Sequence, residues 1–351
     1  MSQKSMISCS ISLEDEGVRF GHLRVPHSVH RSAYGHIPIP IAVAKNGDGP
    51  TLLLTGGVHG DEYEGPIVLT KLMQKLEKLP VSGRVIILPS VNHPAYLAGT
   101  RTSPIDGLNL NRTFPGNRNG SVTQIIAHFV ASELLPLADY AIDMHSGGSS
   151  LQYLPTLLAP RWDDPEDMQI IDGLIAAFAP TRVAFFDSRR SPDGEDRVFG
   201  NAAYHNKCHF LTGEFGGGSS VNPKGVGELQ DGIAGLMRHI GVLRDDEPSA
   251  PAYIRFLSMN DDGLFAFAPQ AGVFEPVFSL GDELPEGALA GRIYDPVNPW
   301  LPPVEVHFKS AGLAICVRTF ALVEAGDCLG HLASDLVNRD GPVRASGLKR
   351  C

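Results

Sequence analysis

The chain has few cysteines and no C-x-x-C pair; Cys9, Cys208, Cys316, Cys328 and Cys351 are odd in number and scattered. Such a distribution argues against a disulfide framework and against a thiolate zinc site, and it fits reduced thiols in a cytoplasm. Long apolar runs are missing too. None approaches the ~20 residues that a membrane-spanning helix needs, so no membrane partner is expected. Basic residues are in the minority, with 29 Lys and Arg against 39 Asp and Glu and a net charge of −10. Phosphate backbones are bound by clustered Lys and Arg, so a nucleic-acid partner is not expected either. Met1 to Glu16 mixes Ser, Lys, Asp and Glu without an apolar signal core, which again points to a cytoplasmic protein. What is present is ordinary globular composition, 43% hydrophobic and 19% charged. The length of 351 residues suits one large domain and a smaller companion.

Gly17 to Val43 alternates apolar and polar residues between His, Ser and Gly clusters and reads as a hairpin-like entry. Asn46-Gly47-Asp48-Gly49-Pro50 is a turn, and Thr51-Leu52-Leu53-Leu54-Thr55 after it is the short continuous apolar run of a central buried strand. From Gly65, residues Ile67, Val68, Leu69, Leu72, Met73 and Leu76 keep helical spacing. The theme recurs, with strands expected at Arg84 to Leu88, Tyr140 to Met144, Arg182 to Phe186 and Cys208 to Thr212. Helices are expected at Val122 to Leu135, Asp167 to Ala177 and Lys224 to Ile240. This alternation predicts an α/β fold, a mostly parallel or mixed sheet flanked by helices, with ligands bound at the carboxyl ends of its strands.

Asp245 to Pro251 reads as a linker, which places domains at 1–248 and 249–351. Beyond it the character changes: Leu264 to Leu332 is rich in Val, Phe, Gly and Pro and has no helical pattern. Gly272-Val273-Phe274 leads to Leu280-Gly281-Asp282-Glu283-Leu284, and Gly312-Leu313-Ala314 leads to Ala325-Gly326-Asp327-Cys328-Leu329. A repeated apolar strand with a Gly-Asp turn predicts a smaller C-terminal all-β barrel or sandwich. Neither repeat tip carries a Lys, so a lipoyl-type carrier is not expected.

Three constellations carry chemistry. The first is Gly56-Gly57-Val58-His59-Gly60-Asp61-Glu62-Tyr63-Glu64-Gly65, where a buried strand gives way to a helix. His59 and Glu62 can converge on one metal ion, and His145 would emerge at the same sheet edge as a third ligand, leaving a fourth position for water. Two strand-end histidines can also be hydrogen-bonded structural residues, and spacing alone leaves both readings open. The second is Glu214 in Thr212-Gly213-Glu214-Phe215-Gly216-Gly217-Gly218, either a general base beside a metal or the cap of a Gly-rich turn. No G-x-x-x-x-G-K-[ST] pattern makes the glycines a phosphate cradle. The third is Arg101 followed by Leu108-Asn109-Leu110-Asn111-Arg112-Thr113-Phe114-Pro115-Gly116. Arg is a permanently charged fork suited to a substrate carboxylate, although loop arginines are also commonly just solvated.

In this order and with these gaps, H-G-D-E, N-L-N-R-T-F-P-G, D-M-H-S-G-G and G-E-F-G-G-G resemble the succinylglutamate desuccinylase/aspartoacylase family, within the zinc carboxypeptidase clan. The resemblance covers Thr51 to Ile240, and the β-rich tail looks like that family's smaller C-terminal domain. It implies a zinc-carboxypeptidase-like mixed sheet and one zinc ion per subunit, held by His59, Glu62 and His145. It further implies that Glu214 is the general base and acid, and that Arg112 with Asn111 grips the substrate carboxylate. Arg101 matches the Arg that polarises the scissile carbonyl and steadies the oxyanion. Asp143 is read either as a group orienting His145 or as a strand-end Asp satisfied by backbone N–H groups.

Within the family, the wording is closest to the bacterial deacetylases of ectoine breakdown, which implies N2-acetyl-L-2,4-diaminobutanoate as substrate. Aspartoacylase- or succinylglutamate desuccinylase-type deacylation is the alternative. Aspartoacylases use a further Arg and a Tyr for an acidic substrate side chain; Arg189, Arg190, Arg197 and Tyr204 lie in that region, but no motif fixes the register. A side-chain ammonium calls instead for an acidic lining, for which Asp187, Asp193, Glu195 and Asp196 are candidates. A zinc carboxypeptidase would share the metal site but need an open groove. A non-catalytic metal-binding scaffold would have no need of Glu214 or the two arginines. The expected partner is a small N-acyl amino acid, and a homo-oligomer stays open.

Overall fold

Leu52, Leu53 and Leu54 have no exposed surface, a state open to a strand only inside a sheet covered on both faces. In the computed structural model, which describes residues 5–186, 197–244 and 253–336, their strand Thr51–Gly56 lies between two parallel neighbours, Gly83–Leu88 and Tyr140–His145. His209–Glu214 adds in parallel beyond Tyr140–His145, and Thr156–Pro160 then pairs antiparallel to it. At the other side the hairpin of Gly17–Pro26 and His36–Asn46 joins antiparallel. The sheet is therefore mixed, as the alternation of elements predicts. Gly56 sits opposite Met144, and His145 opposite Glu214, so three parallel strands end at one level.

Leu52 and Leu54 face a core built with Leu69, Leu174, Leu229 and Leu236 from helices Glu64–Lys75, Pro165–Phe178 and Pro223–His239. Leu53 faces a second core with Ile126, Phe129 and Phe199, from helices Val122–Phe129 and Phe199–His205. Each buried Leu contributes about 2 kcal/mol, and the alternation between cores is the two-residue period of a strand. The helix expected over Val122 to Leu135 is α-helical only to Phe129; a π turn, Val130–Leu134, and a 3-10 turn, Leu135–Leu137, follow. Ser132 turns its hydroxyl back to donate to the His128 carbonyl at 2.7 Å, and Pro136 has no N–H to continue the ladder. Strand Thr156–Pro160 and helices His93–Ala98 and Phe199–His205 are too short to announce themselves by periodicity.

Gly272–Pro276, Leu289–Tyr294, Val304–His307 and Leu322–Val323 form a four-stranded antiparallel sheet. Its Phe274 and Ile293 share a core with Ala314, Leu329 and Leu332 of strands Gly312–Arg318 and Cys328–Asp335. Gly281 and Gly326, the two Gly-Asp turns of the repeat, both have φ of 92°, a conformation that suits glycine. This β region is stitched to the larger sheet. Strand Arg255–Ser258 pairs with both Arg182–Phe186 and Cys328–Asp335, and Leu151–Tyr153 pairs with Gly312–Arg318. The linker read at Asp245 to Pro251 lies outside the described residues. Cys9, Cys208, Cys316 and Cys328 are free thiols, and no helix among the described residues is long and apolar enough to cross a membrane.

Candidate active site

Strand Thr51–Gly56 gives way to Gly57, whose φ of 63° turns the chain sharply. Gly60 then packs against the next segment so closely that a Cβ would lie 1.9 Å from the carbonyl carbon of Ala95. The turn brings His59 and Glu62 back over the sheet edge, where His145 ends its own strand. Nδ1 of His59 lies 2.7 Å from Glu62 Oε1, and Nδ1 of His145 lies 2.8 Å from Glu62 Oε2. All three residues are buried, and their ligand atoms fall within 4.8 Å of one another.

Each imidazole turns its other nitrogen to an oxygen. His59 Nε2 is 3.1 Å from Asn109 Oδ1, and His145 Nε2 is 2.7 Å from Asp143 Oδ2. Asp143 Oδ1 in turn accepts from the Thr55 hydroxyl at 2.7 Å. Of the two readings of Asp143, the geometry supports the one in which it orients His145. With Nε2 protonated on both rings, two Nδ1 lone pairs and a carboxylate share one point, with outer oxygens holding the rings in place. That nitrogen, nitrogen, oxygen set fits zinc, and three protein ligands leave a position open.

Burial by itself raises carboxylates and lowers histidines. In Glu62 burial is outweighed by His59 and His145, which hold its carboxyl far below the usual range. In His145 burial is outweighed by Asp143 and Glu62, which raise the ring well above its ordinary value; His59 stays lowered, chiefly by burial. The remaining acids of H-G-D-E-Y-E-G have mechanical roles that spacing did not reveal. Asp61 accepts from the Ser149 N–H at 2.7 Å, and Glu64 accepts from the Asn222 N–H at 2.9 Å. They pin the two Gly-rich loops that follow His145 and Glu214.

A cavity of about 700 Å³ opens beside the cluster, and His59, His145, Glu214, Arg101, Asn111 and Arg112 all line it. The sequence-predicted residues thus meet in one place, with Glu62 buried among them. Glu214 is half-buried, but its Oε2 is sealed from solvent and has no hydrogen-bond partner. Burial, followed by the charge of Glu62, pushes its carboxyl up to about 8. Arg101 leans in from the cavity side, with Nη1 3.4 Å from His59 Nδ1 and 3.6 Å from Glu62 Oε1. Asn111 Oδ1 accepts from the Phe199 N–H, and Arg112 Nη1 donates to the Asn111 carbonyl, each at 2.9 Å. The first bond braces the loop against helix Phe199–His205, and the second fixes Arg112 on the loop itself.

Several wall residues were not anticipated: Tyr153, Trp162, and Met259, Asn260, Asp262 and Phe265 from the C-terminal region. Their separation in sequence hides them. Tyr204 does line the cavity, with its ring centroid 4.7 Å from that of Trp162. Arg189, Arg190, Asp187, Asp193, Glu195 and Asp196 lie outside the described residues, and Arg197 is not among the described lining residues. A second cavity of about 570 Å³, walled by Phe20, Pro66, Met73 and Tyr96, contains none of the metal-site groups.

Residues 48–240 match the succinylglutamate desuccinylase/aspartoacylase catalytic domain. Over 332 residues the chain is 37% identical to the N-alpha-acetyl-L-2,4-diaminobutyric acid deacetylase of Halomonas elongata, covering 94% of this chain and 95% of that protein. The product-bound structure of the ectoine utilization protein EutE (DoeB) from Ruegeria pomeroyi superimposes with a TM-score of 0.88 at 37% identity, over 95% of this chain and 100% of that one. A succinylglutamate desuccinylase/aspartoacylase from Rhodobacter sphaeroides gives 0.88 at 34% identity, over 95% and 99%. With its four motifs gathered at one strand edge and these likenesses running nearly end to end, the chain belongs to the succinylglutamate desuccinylase/aspartoacylase family of deacylases.

Proposed function

We propose that the protein hydrolyses the amide bond of N2-acetyl-L-2,4-diaminobutanoate, releasing acetate and the free diamino acid. The observation that carries this reading is the convergence of His59 and His145 Nδ1 on Glu62, beside Glu214 and two arginines in one cavity. The specific substrate is supported by the 37% identity to the Halomonas deacetylase. His59, Glu62 and His145 would hold one zinc ion per subunit. Bound there, zinc polarises the amide carbonyl and makes water more acidic.

The chain's own groups do the rest. Glu214 takes a proton from the attacking water and passes it to the leaving nitrogen as the C–N bond breaks. A carboxyl raised by burial is matched to both steps near neutral pH. Arg101 steadies the negative charge that develops on the carbonyl oxygen. Arg112, with Asn111, holds the α-carboxylate, and Asp262 suits the side-chain ammonium. Wall residues supplied by the β region favour a small substrate over a peptide. In this reading 1–248 is the catalytic domain and 249–351 the domain that closes the site.

The test is acetate or succinate release from N2-acetyl-diaminobutanoate, N-acetylaspartate and N-succinylglutamate, with zinc measured on the same preparation. Turnover is expected with one zinc per chain and a clear preference for the first substrate. Preference for either acidic substrate would overturn the substrate assignment, and turnover with no metal bound would overturn the mechanism.

A further inference from the structure

Strand Leu151–Tyr153 passes between the Glu214 loop and the C-terminal region. The Tyr153 N–H donates to the Gly216 carbonyl at 2.9 Å, two residues beyond Glu214, and Tyr153 lies in register with Cys316 of strand Gly312–Arg318. Its side chain lines the same cavity as Glu214. Tyr153 Oη lies 2.9 Å from Nε2 of His331, which strand Cys328–Asp335 carries. His331 is only 2% exposed and stacks on Phe265, with ring centroids 4.8 Å apart.

The protonation state follows from these surroundings. His331 Nδ1 is buried without a hydrogen-bond partner. A proton there would be an orphaned donor, so the proton belongs on Nε2, where Tyr153 Oη accepts it. The Cys316 thiol is the other hydrogen-bonding neighbour of the phenol, and the rotatable phenol O–H can turn from it to a ligand in the cavity that the ring lines. Burial drives His331 down to about 4 and raises Tyr153 well above its ordinary value, so both stay neutral over the working range.

We propose that Tyr153 is a further catalytic residue of this site, donating a hydrogen bond to the acyl-amide group while His331 holds it in position. The inference rests on the deacylase reading above. Tyr153 neither gains nor loses a proton; Glu214 still carries the proton from water to nitrogen. A donor that strengthens as charge develops acts on kcat more than on KM.

The experiment uses the full-length, zinc-loaded chain and acetate release from N2-acetyl-diaminobutanoate. Tyr153→Phe keeps the ring; it is expected to lower kcat about tenfold, with KM and zinc content unchanged and a modest fall in Tm from the His331 N–H it leaves unpaired. His331→Phe keeps the stack on Phe265 and is expected to give a similar loss, whereas His331→Gln restores a donor and recovers part of it. The double variant Tyr153→Phe/His331→Phe should be no worse than Tyr153→Phe, since both changes remove one device. Losses that multiply in the double variant would overturn the pairing. Tyr153→Phe with undiminished kcat would overturn the proposal by itself, whatever the His331 variants do. A wild-type chain that releases no acetate sinks the underlying reading, an outcome distinct from an active wild type matched by an equally active Tyr153→Phe.

Discussion

His145, in the strand-end cluster, and His331, in the C-terminal sheet, are both buried, at 7% and 2% exposure. Their environments push them in opposite directions. His145 is clamped between Asp143 and Glu62, whose charges overcome burial and raise it. His331 packs against a phenol and an aromatic ring, so burial outweighs the raising effect of the Leu332 backbone and lowers it to about 4. Burial alone therefore does not say what a histidine does; the charge of its neighbours does. Paired carboxylates make the first region a place that draws a cation. Neutral neighbours make the second a fixed hydrogen-bonding support.

Breaking the first region should have the largest effect. His59→Ala and His145→Ala are expected to abolish zinc binding and reduce turnover by about a thousandfold or more, checked by metal analysis beside kinetics. Full zinc occupancy in both variants would reject the ligand set. Next is Glu214→Gln, which should retain zinc yet lose about 10²–10⁴ in kcat, because the amide cannot take the proton from water. Near-normal turnover would move the base elsewhere.

Arg112→Lys should lower kcat/KM about ten- to a hundredfold, since a two-point fork becomes a point charge and a charged hydrogen bond is worth about 1.5–3 kcal/mol. The loss should shrink for a substrate whose carboxylate is an amide. Equal losses on both substrates would make Arg112 a brace for the Asn109–Gly116 loop only.

The second region is sharpened by pH. With the folded-state value of His331 near 4 and the unfolded value near 6.5, the unfolded chain binds more protons in between. Stability is fully present above the unfolded value and declines as pH falls toward the folded one. From pH 7 to pH 5 this group accounts for about 2 kcal/mol. Chemical denaturation of His331→Phe should show that much less loss than wild type; parallel pH profiles would contradict the neutral support. The smallest effect is expected at exposed Asp262. Asp262→Asn should raise KM for the ammonium-bearing substrate by at most about fivefold, as a solvated ion pair allows, and leave N-acetylaspartate turnover alone. Equal changes on both would remove Asp262 from recognition.

Much of the first region was legible because its signals are local. Leu52 to Leu54 announce a buried strand, and the glycines after it announce a sharp turn that presents His59 and Glu62. His145 and Glu214 each sit at the end of an apolar run, so strand-end logic places them at the same edge. The wall opposite them was not legible. Tyr153 and His331 stand 178 residues apart and meet only because Leu151–Tyr153 pairs with the C-terminal sheet. Asp61 and Glu64 have the same composition signal as Glu62, yet they hold backbone N–H groups of distant loops.

By itself, the sequence determined which elements form and which residue types could bind a metal and move a proton, because strand period, turn glycines and ligand chemistry act over a few neighbouring residues. Tertiary structure alone decided what Asp61 and Glu64 hold instead, which of two buried histidines is raised, and which residues of the β region close the cavity. The physical reason is that hydrogen bonds and charge interactions are set by distance in space, and register across strands brings together groups that the chain keeps far apart.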